Sequence, residues 1–277
     1  MISLQPVQQL RETTVDLDYA KIMAIYRAKM HGYTWQGSGE KSDSSGLIVC
    51  YDINCPYCAA EFTDTIYDMI KERSMTVTMV PHFSTQLGSS ILDYALMGFA
   101  LNYLPIGRHP DEVLEMFKEI FEKKISSMRV TTQDLISIIS SRYTKLTGKP
   151  LLLEDFIKYL NEETMNATVV TTYTVVANII KNGSPAQLPG FNPFMFSADS
   201  YMQPCNTLVK SLTGSDYVVG VPLNIFYDFE KMKAILVPGR QDKISLLKYR
   251  SRLYEQQKET AIVKPESSTA EPKPEQK

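Results

Sequence analysis

Cys55 and Cys58, two of the four cysteines in this 277-residue chain, are separated only by Pro56 and Tyr57. That spacing brings both sulfurs within disulfide reach, so the pair could open and close as a redox couple. The apolar run LIVCYDI (47–53) precedes it and reads as a buried strand, while AAEFTDTIYDMIKER (59–73) follows with helical spacing at Phe62, Ile66, Met69 and Ile70. The pair therefore sits where a strand hands over to a helix. The first N–H groups of a helix lack intrahelical partners and the dipole is positive there. A thiolate on Cys55 is stabilised at such a place and becomes a nucleophile near neutral pH. Pro56 fits the first turn, where its missing N–H costs nothing. Cys55 is expected to be the exposed, attacking thiol, and Cys58, one turn deeper, the thiol that closes on it and releases a partner.

Two other chemistries are open to these residues. They could be ordinary cysteines, or half of a zinc site. Zinc needs a second pair of ligands, and Cys50, Cys205, His31, His82 and His109 show no matching short spacing. A CxxC at a strand–helix junction favours redox over metal or a purely structural role. Cys50, inside an apolar strand, reads as a small buried hydrophobe, and Cys205 could pair with Cys50 or be a free thiol, the unpaired reading being favoured.

The elements around the pair follow from periodicity. MTVTMVPHF (75–83) is a second strand, so 47–83 makes a βαβ unit with parallel pairing. His82 caps the edge where that strand ends. Upstream, 1–16 is polar and expected to be poorly ordered, 17–30 has the spacing of one helix, Tyr33 and Trp35 could pack across the core, and GSGEKSDSSG (37–46) has linker composition. From Ser89 to about Asn182, four stretches repeat apolar residues every three or four positions, punctuated by Pro105, Pro110, Gly148-Lys149-Pro150 and Asn182-Gly183-Ser184-Pro185. The β-branched segment 167–180 suits either a strand or a buried helix. A helix at 198–213, strands at 218–228 and 233–239, and a helix from Gln241 to Glu259 complete the order. The Pro-, Glu- and Lys-rich end, 263–277, reads as a disordered tail. The helical block thus interrupts one sheet.

A formal net charge of -2 gives no argument for nucleic acid or an acidic membrane surface as partner. No segment has the length and apolarity of a membrane span. The amino terminus lacks the basic start and apolar run of a secretory signal, which leaves a cytoplasmic protein or a mature exported form.

With CPYC at 55–58 and Gly220-Val221-Pro222 opening a strand near the carboxyl end, the chain resembles the thioredoxin-fold disulfide oxidoreductases, in particular the bacterial Dsb family (DsbA/DsbG-like) with its helical insertion. The resemblance covers about residues 47–255 in order of elements and is specific at the two motifs. It implies an α/β thioredoxin-like fold, βαβ … αββα, with a large α-helical insertion. The divisions it implies are 1–46 (helix and linker), 47–88 and 198–260 (the two halves of the thioredoxin-like domain), 89–197 (the insertion) and 261–277 (the tail). It also implies a protein disulfide oxidoreductase with Cys55 and Cys58 catalytic and Pro56 and Tyr57 in the active-site loop. Pro222 would be the cis-proline facing the pair, and Val221 the neighbour that contacts a partner's peptide. Substrates would be protein thiols or disulfides, with a separate redox partner protein and no cofactor or metal. Residues 1–40 are too short for the dimerisation domain of the family's isomerases, which favours a monomeric oxidase or reductase; the family resemblance points to the periplasm. The alternative is a thioredoxin-fold binding or chaperone module of a secretion or conjugation system with little redox turnover. In one respect the sequence departs from the family. The buried acid often found on the strand before the motif aligns with Val49 or Cys50, and Asp52 is expected too near the rim, so either proton transfer from Cys58 would go through water or the protein would be a weaker catalyst than the family suggests.

Overall fold

The computed structural model describes residues 9–38, 44–82, 84–89, 91–152, 204–217 and 219–255. A six-stranded sheet runs through it in the order β1-β6-β5-β3-β4-β2. The centre of this sheet is β3 (Ser45–Tyr51), buried at every residue but the first, as a continuous apolar run covered on both faces must be. It pairs in parallel with β4 (Val77–Pro81), Leu47 opposite Val77 and Tyr51 opposite Pro81. On its other side it pairs antiparallel with β5 (Leu223–Asp228), Cys50 opposite Leu223. The hairpin partner β6 (Lys233–Pro238) continues the sheet. Strands β6-β5-β3-β4, with the β3–β4 crossover on one side and the β5–β6 hairpin on the other, are the core of a thioredoxin-like fold, and the helical segments between β4 and β5 interrupt it.

Side-chain alternation along β3 sends Leu47, Val49 and Tyr51 into one core and Ile48 and Cys50 into another. The first core holds the helix after the cysteine pair and most of the helical block. It also holds the terminal helix, α8 (Lys243–Glu255), through Leu246 and Leu253. Within the block, α4 (Ile91–Asn102) and α5 (Pro110–Ser126) precede α6 (Thr132–Thr147). Pro110 at the start of α5, acids in its first turn and Lys123 and Lys124 in its last suit the helix dipole. A reciprocal Thr131–Asp134 capping box starts α6, and Gly148 ends it with a left-handed φ of 69°. The second core lies under α1 (Tyr19–Met30) and α7 (Pro204–Thr213), through Ile25, Ala28, Cys205 and Leu208.

Two edge strands differ from the sequence expectation. Residues 13–16, expected to be poorly ordered, form β1 (Thr13–Asp16), antiparallel to β6 with Thr13 opposite Leu236. Four residues cannot hold a strand alone; here the β6 backbone supplies the ladder, and the flanking Leu10 and Leu17 are buried. At the other edge β2 (Tyr33–Trp35) pairs antiparallel with β4. Trp35 does pack into the core: its ring meets Phe117 edge-on at 5.6 Å and its Nε1–H donates to the Pro110 carbonyl at 2.9 Å. The linker is shorter than its composition suggests, since Gly37 and Ser38 are bonded to Thr76 and Arg73 and β3 begins at Ser45. The helix expected at 151–165 from residue 153 on, the ambiguous segment 167–180, the start of the helix expected at 198–213 and the tail fall outside the described residues.

Candidate functional site

The helix after β3 begins at Pro56 as α2 (Pro56–Glu61), passes through one π turn (Phe62–Ile66) and continues as α3 (Tyr67–Lys71). Cys55 is its N-cap residue, with φ -80° and ψ 118°. The Cys58 backbone N–H donates to Cys55 Sγ at 3.2 Å. From the opposite side, the Val221 carbonyl accepts from Cys55 Sγ at 3.3 Å. Hydrogen bonding from the Cys58 thiol and from the backbone N–H groups of Cys58 and Tyr57 holds the Cys55 thiol below its usual range, against the opposing effect of burial. Burial, with the Cys55 sulfur beside it, pushes the Cys58 thiol well up. The two sulfurs are thus driven apart in acidity, the first toward thiolate and the second toward thiol.

The Val221–Pro222 peptide bond is cis. Pro222 is buried and its carbonyl accepts from Gly239 N–H at 2.8 Å, fastening the approach to β5 onto the end of β6. Tyr57 is 64% exposed beside the pair. The expected exposure of Cys55 is corrected: Cys55 and Cys58 are 2% and 3% exposed. The Val221 carbonyl meets a sulfur that sequence position alone would leave at the surface. All four cysteines are free thiols. Cys50 and Cys205 are both completely buried in the second core. Among the described residues, no three His, Cys, Asp or Glu side chains gather so as to hold a metal ion.

The strand before the pair carries no acid, as expected, but the helix after it brings one into the core. Glu61 is 1% exposed, and burial pushes its carboxyl up to about 7 despite hydrogen bonds from its neighbours. Its Oε1 accepts from the Asn224 side-chain amide at 2.9 Å and from Gln241 N–H at 2.7 Å. Its Oε2 is buried without a partner among the described residues, so one oxygen is left to carry a proton. The Glu61 charge acts on the Cys58 thiol. The acid reaches the site from the helix and not from the strand: it stands three residues after Cys58, on the same helical face, which is the sequence signal that points to it.

Asp52 lies just beyond β3 but is buried, not at the rim. Its carboxylate accepts from Asn54 N–H at 2.7 Å, Ser84 N–H at 3.0 Å and Ser89 Oγ at 2.5 Å. Burial raises its pKa more than these bonds lower it. Asn54, also buried, reaches away from Asp52 to Val130. His82 follows β4, where its N–H donates to the Tyr51 carbonyl at 2.6 Å, and burial lowers its ring pKa to about 4, which keeps the imidazole neutral.

No family model and no curated protein matches the sequence. Among solved structures, the chain is similar to a periplasmic thioredoxin-like protein from Salmonella enterica serovar Typhimurium, at 16% identity over 86% of this chain and 99% of that one, with a TM-score of 0.45. It is similar to Chlamydia trachomatis DsbA at 11% identity over 79% and 90%, TM-score 0.45. A third likeness is Proteus mirabilis ScsC, at 13% identity over 87% and 81%, TM-score 0.44. The chain's own strand order, with helices set between β4 and β5, gives it a thioredoxin-like fold with a helical insertion.

Proposed function

We propose that this chain is a thiol–disulfide oxidoreductase acting on protein thiols through Cys55 and Cys58. The observation that carries the proposal is the setting of Cys55 Sγ, between the Cys58 N–H at 3.2 Å and the Val221 carbonyl at 3.3 Å. The N–H stabilises a thiolate, and the carbonyl lies where an extended substrate backbone could pair. In the oxidising direction a substrate thiolate attacks Cys55 Sγ of the disulfide form. The Cys55–Cys58 bond breaks, and the electron pair leaves on Cys58, which takes a proton from Glu61. A second substrate thiolate then attacks the substrate sulfur of the mixed disulfide and expels Cys55 as thiolate. Two electrons pass from the substrate dithiol to the pair, and a redox partner protein removes them. In the reducing direction the same steps run backward, with Glu61 accepting the Cys58 proton.

The insertion would span 89–197 and the thioredoxin-like halves 47–88 and 198–260, in a monomer working in the periplasm. The reduction potential of the Cys55–Cys58 pair tests the proposal. A value near about -120 mV marks an oxidant and one near about -270 mV a reductant. A pair that exchanges with no dithiol or disulfide over that range sinks the enzyme reading. One observation favours the second reading, a binding or chaperone module: the 2% exposure of Cys55. Turnover of a small dithiol by the pure protein separates the two.

A further inference from the structure

Asn54, the residue before Cys55, is 1% exposed, and all of its described polar side-chain bonds lead away from the cysteines. Its Oδ1 accepts from Val130 N–H at 2.7 Å, and its Nδ2 donates to the Val130 carbonyl at 3.3 Å and to Ser89 Oγ at 3.2 Å. One side-chain amide therefore pairs with both backbone groups of a single residue, as a neighbouring strand would. Val130 is completely buried and lies in the link between α5 and α6, one residue before the Thr131 cap. Ser89 closes the network by donating to Asp52 Oδ1, which also accepts the Asn54 backbone N–H. The Cys55 N–H in turn donates to the Asp52 carbonyl at 3.0 Å. Residue 54 is thus pinned through its backbone to the strand end and through its side chain to the helical block. Loss of the amide strands two buried backbone groups of Val130, which is costly enough to move one segment or the other.

From this geometry we infer that Asn54 is a positioning residue: it clasps the α5–α6 link of the helical block and thereby fixes the turn that sets Cys55 Sγ over the start of α2. The inference rests on the oxidoreductase reading, since it assigns Asn54 a task in presenting the nucleophile. Without the clasp the peptide plane entering Cys55 is held only through its N–H bond to the Asp52 carbonyl, and the sulfur shifts from the Cys58 N–H. The groups that face the sulfur, the Cys58 thiol and N–H, the Tyr57 N–H, the Val221 carbonyl and Asp52, stay the same, so the effect is one of placement.

The test is the pH midpoint of Cys55 alkylation by iodoacetamide in the reduced full-length protein, read by mass spectrometry. Asn54→Ala is expected to raise the midpoint by about one unit, which slows labelling at pH 6 about tenfold. Asn54→Ser, whose single hydroxyl cannot pair with both backbone groups of Val130, is expected to shift it the same way and carries the test if Asn54→Ala does not fold. Thr131→Ala weakens the same link through its cap without touching Asn54; it should lower the melting temperature and leave the midpoint where it is. An unshifted midpoint in both Asn54→Ala and Asn54→Ser, beside a low wild-type midpoint, overturns the role of Asn54 alone. An equal shift in Thr131→Ala also overturns it, by making the effect one of general loosening. A wild-type midpoint at the ordinary thiol value of about 8.5 overturns the oxidoreductase reading and this inference with it.

Discussion

Asn224 donates its side-chain amide to Glu61 across 2.9 Å, joining the strand that follows Pro222 to the helix that begins beside Cys55. The bond holds a carboxyl group that burial keeps from ionising until about pH 7. A carboxyl whose folded pKa is raised binds its proton more tightly in the native state. Its contribution is therefore neutral below about 4.5 and falls as pH rises toward 7. The loss is on the order of 3 kcal/mol by pH 8. Glu61→Gln keeps an oxygen for Asn224 and Gln241 and cannot ionise. Its urea midpoint is expected to exceed that of the reduced wild type at pH 8 and to match it near pH 4. A wild-type excess at pH 8 would show that the charge is accommodated. The same variant should slow the step in which Cys58 attacks Cys55, with the inflection near pH 7 removed from the rate profile.

Replacing Cys58 with Ala removes the thiol that releases a partner. Covalent adducts through Cys55 should then accumulate in cells and run as reducible bands on a non-reducing gel. A further Cys55→Ala change should abolish them. Adducts that persist without Cys55 would assign the reactive thiol to Cys50 or Cys205.

Phe117 is completely buried on α5, with ring centroids 5.3 Å from Tyr51, 5.6 Å from Trp35 and 6.0 Å from Phe62. It joins β3, β2 and the helix of the cysteine pair to the helical block. Phe117→Ala is expected to cost about 3–5 kcal/mol in unfolding free energy. A loss below about 1 kcal/mol in urea titrations would mean that the helical block packs independently of the sheet.

Trp35→Phe keeps an aromatic ring at the Phe117 contact and removes only the donor to the Pro110 carbonyl, the start of α5. The expected loss is about 1–2 kcal/mol, that of a partly buried acceptor left without its partner. Thermal unfolding indistinguishable from wild type would show that water replaces the indole.

The parts of this fold legible in the sequence were those whose signals are local. A continuous apolar run gave β3, helical spacing gave the segment after Cys58, and short β-rich runs after the helical block gave β5 and β6. What stayed hidden depends on residues far apart. Thr13–Asp16 has no strand-like length and is a strand only because Lys233–Leu236 lies beside it. The carbonyl that meets Cys55 Sγ belongs to Val221, 166 residues along the chain. Asn54 looks like any polar residue in a turn until Val130 is set against it, and Glu61 looks like an acid suited to the first turn of a helix. The helix dipole explains an acid there equally well when it faces solvent, so charge order could not tell the buried Glu61 from an exposed one. Position relative to Cys58 could.

β4 and β5 flank β3, yet Pro81 and Leu223 are separated by the whole helical block in the chain. A ribosome adding about 5–20 residues per second needs several seconds or more to pass from one to the other. Throughout that interval β3 has its parallel neighbour but not its antiparallel one, and Cys55 and Cys58 have emerged with no Val221 above them. The newly made dithiol is therefore open to the small-molecule thiols and oxidants of its surroundings before the sheet closes.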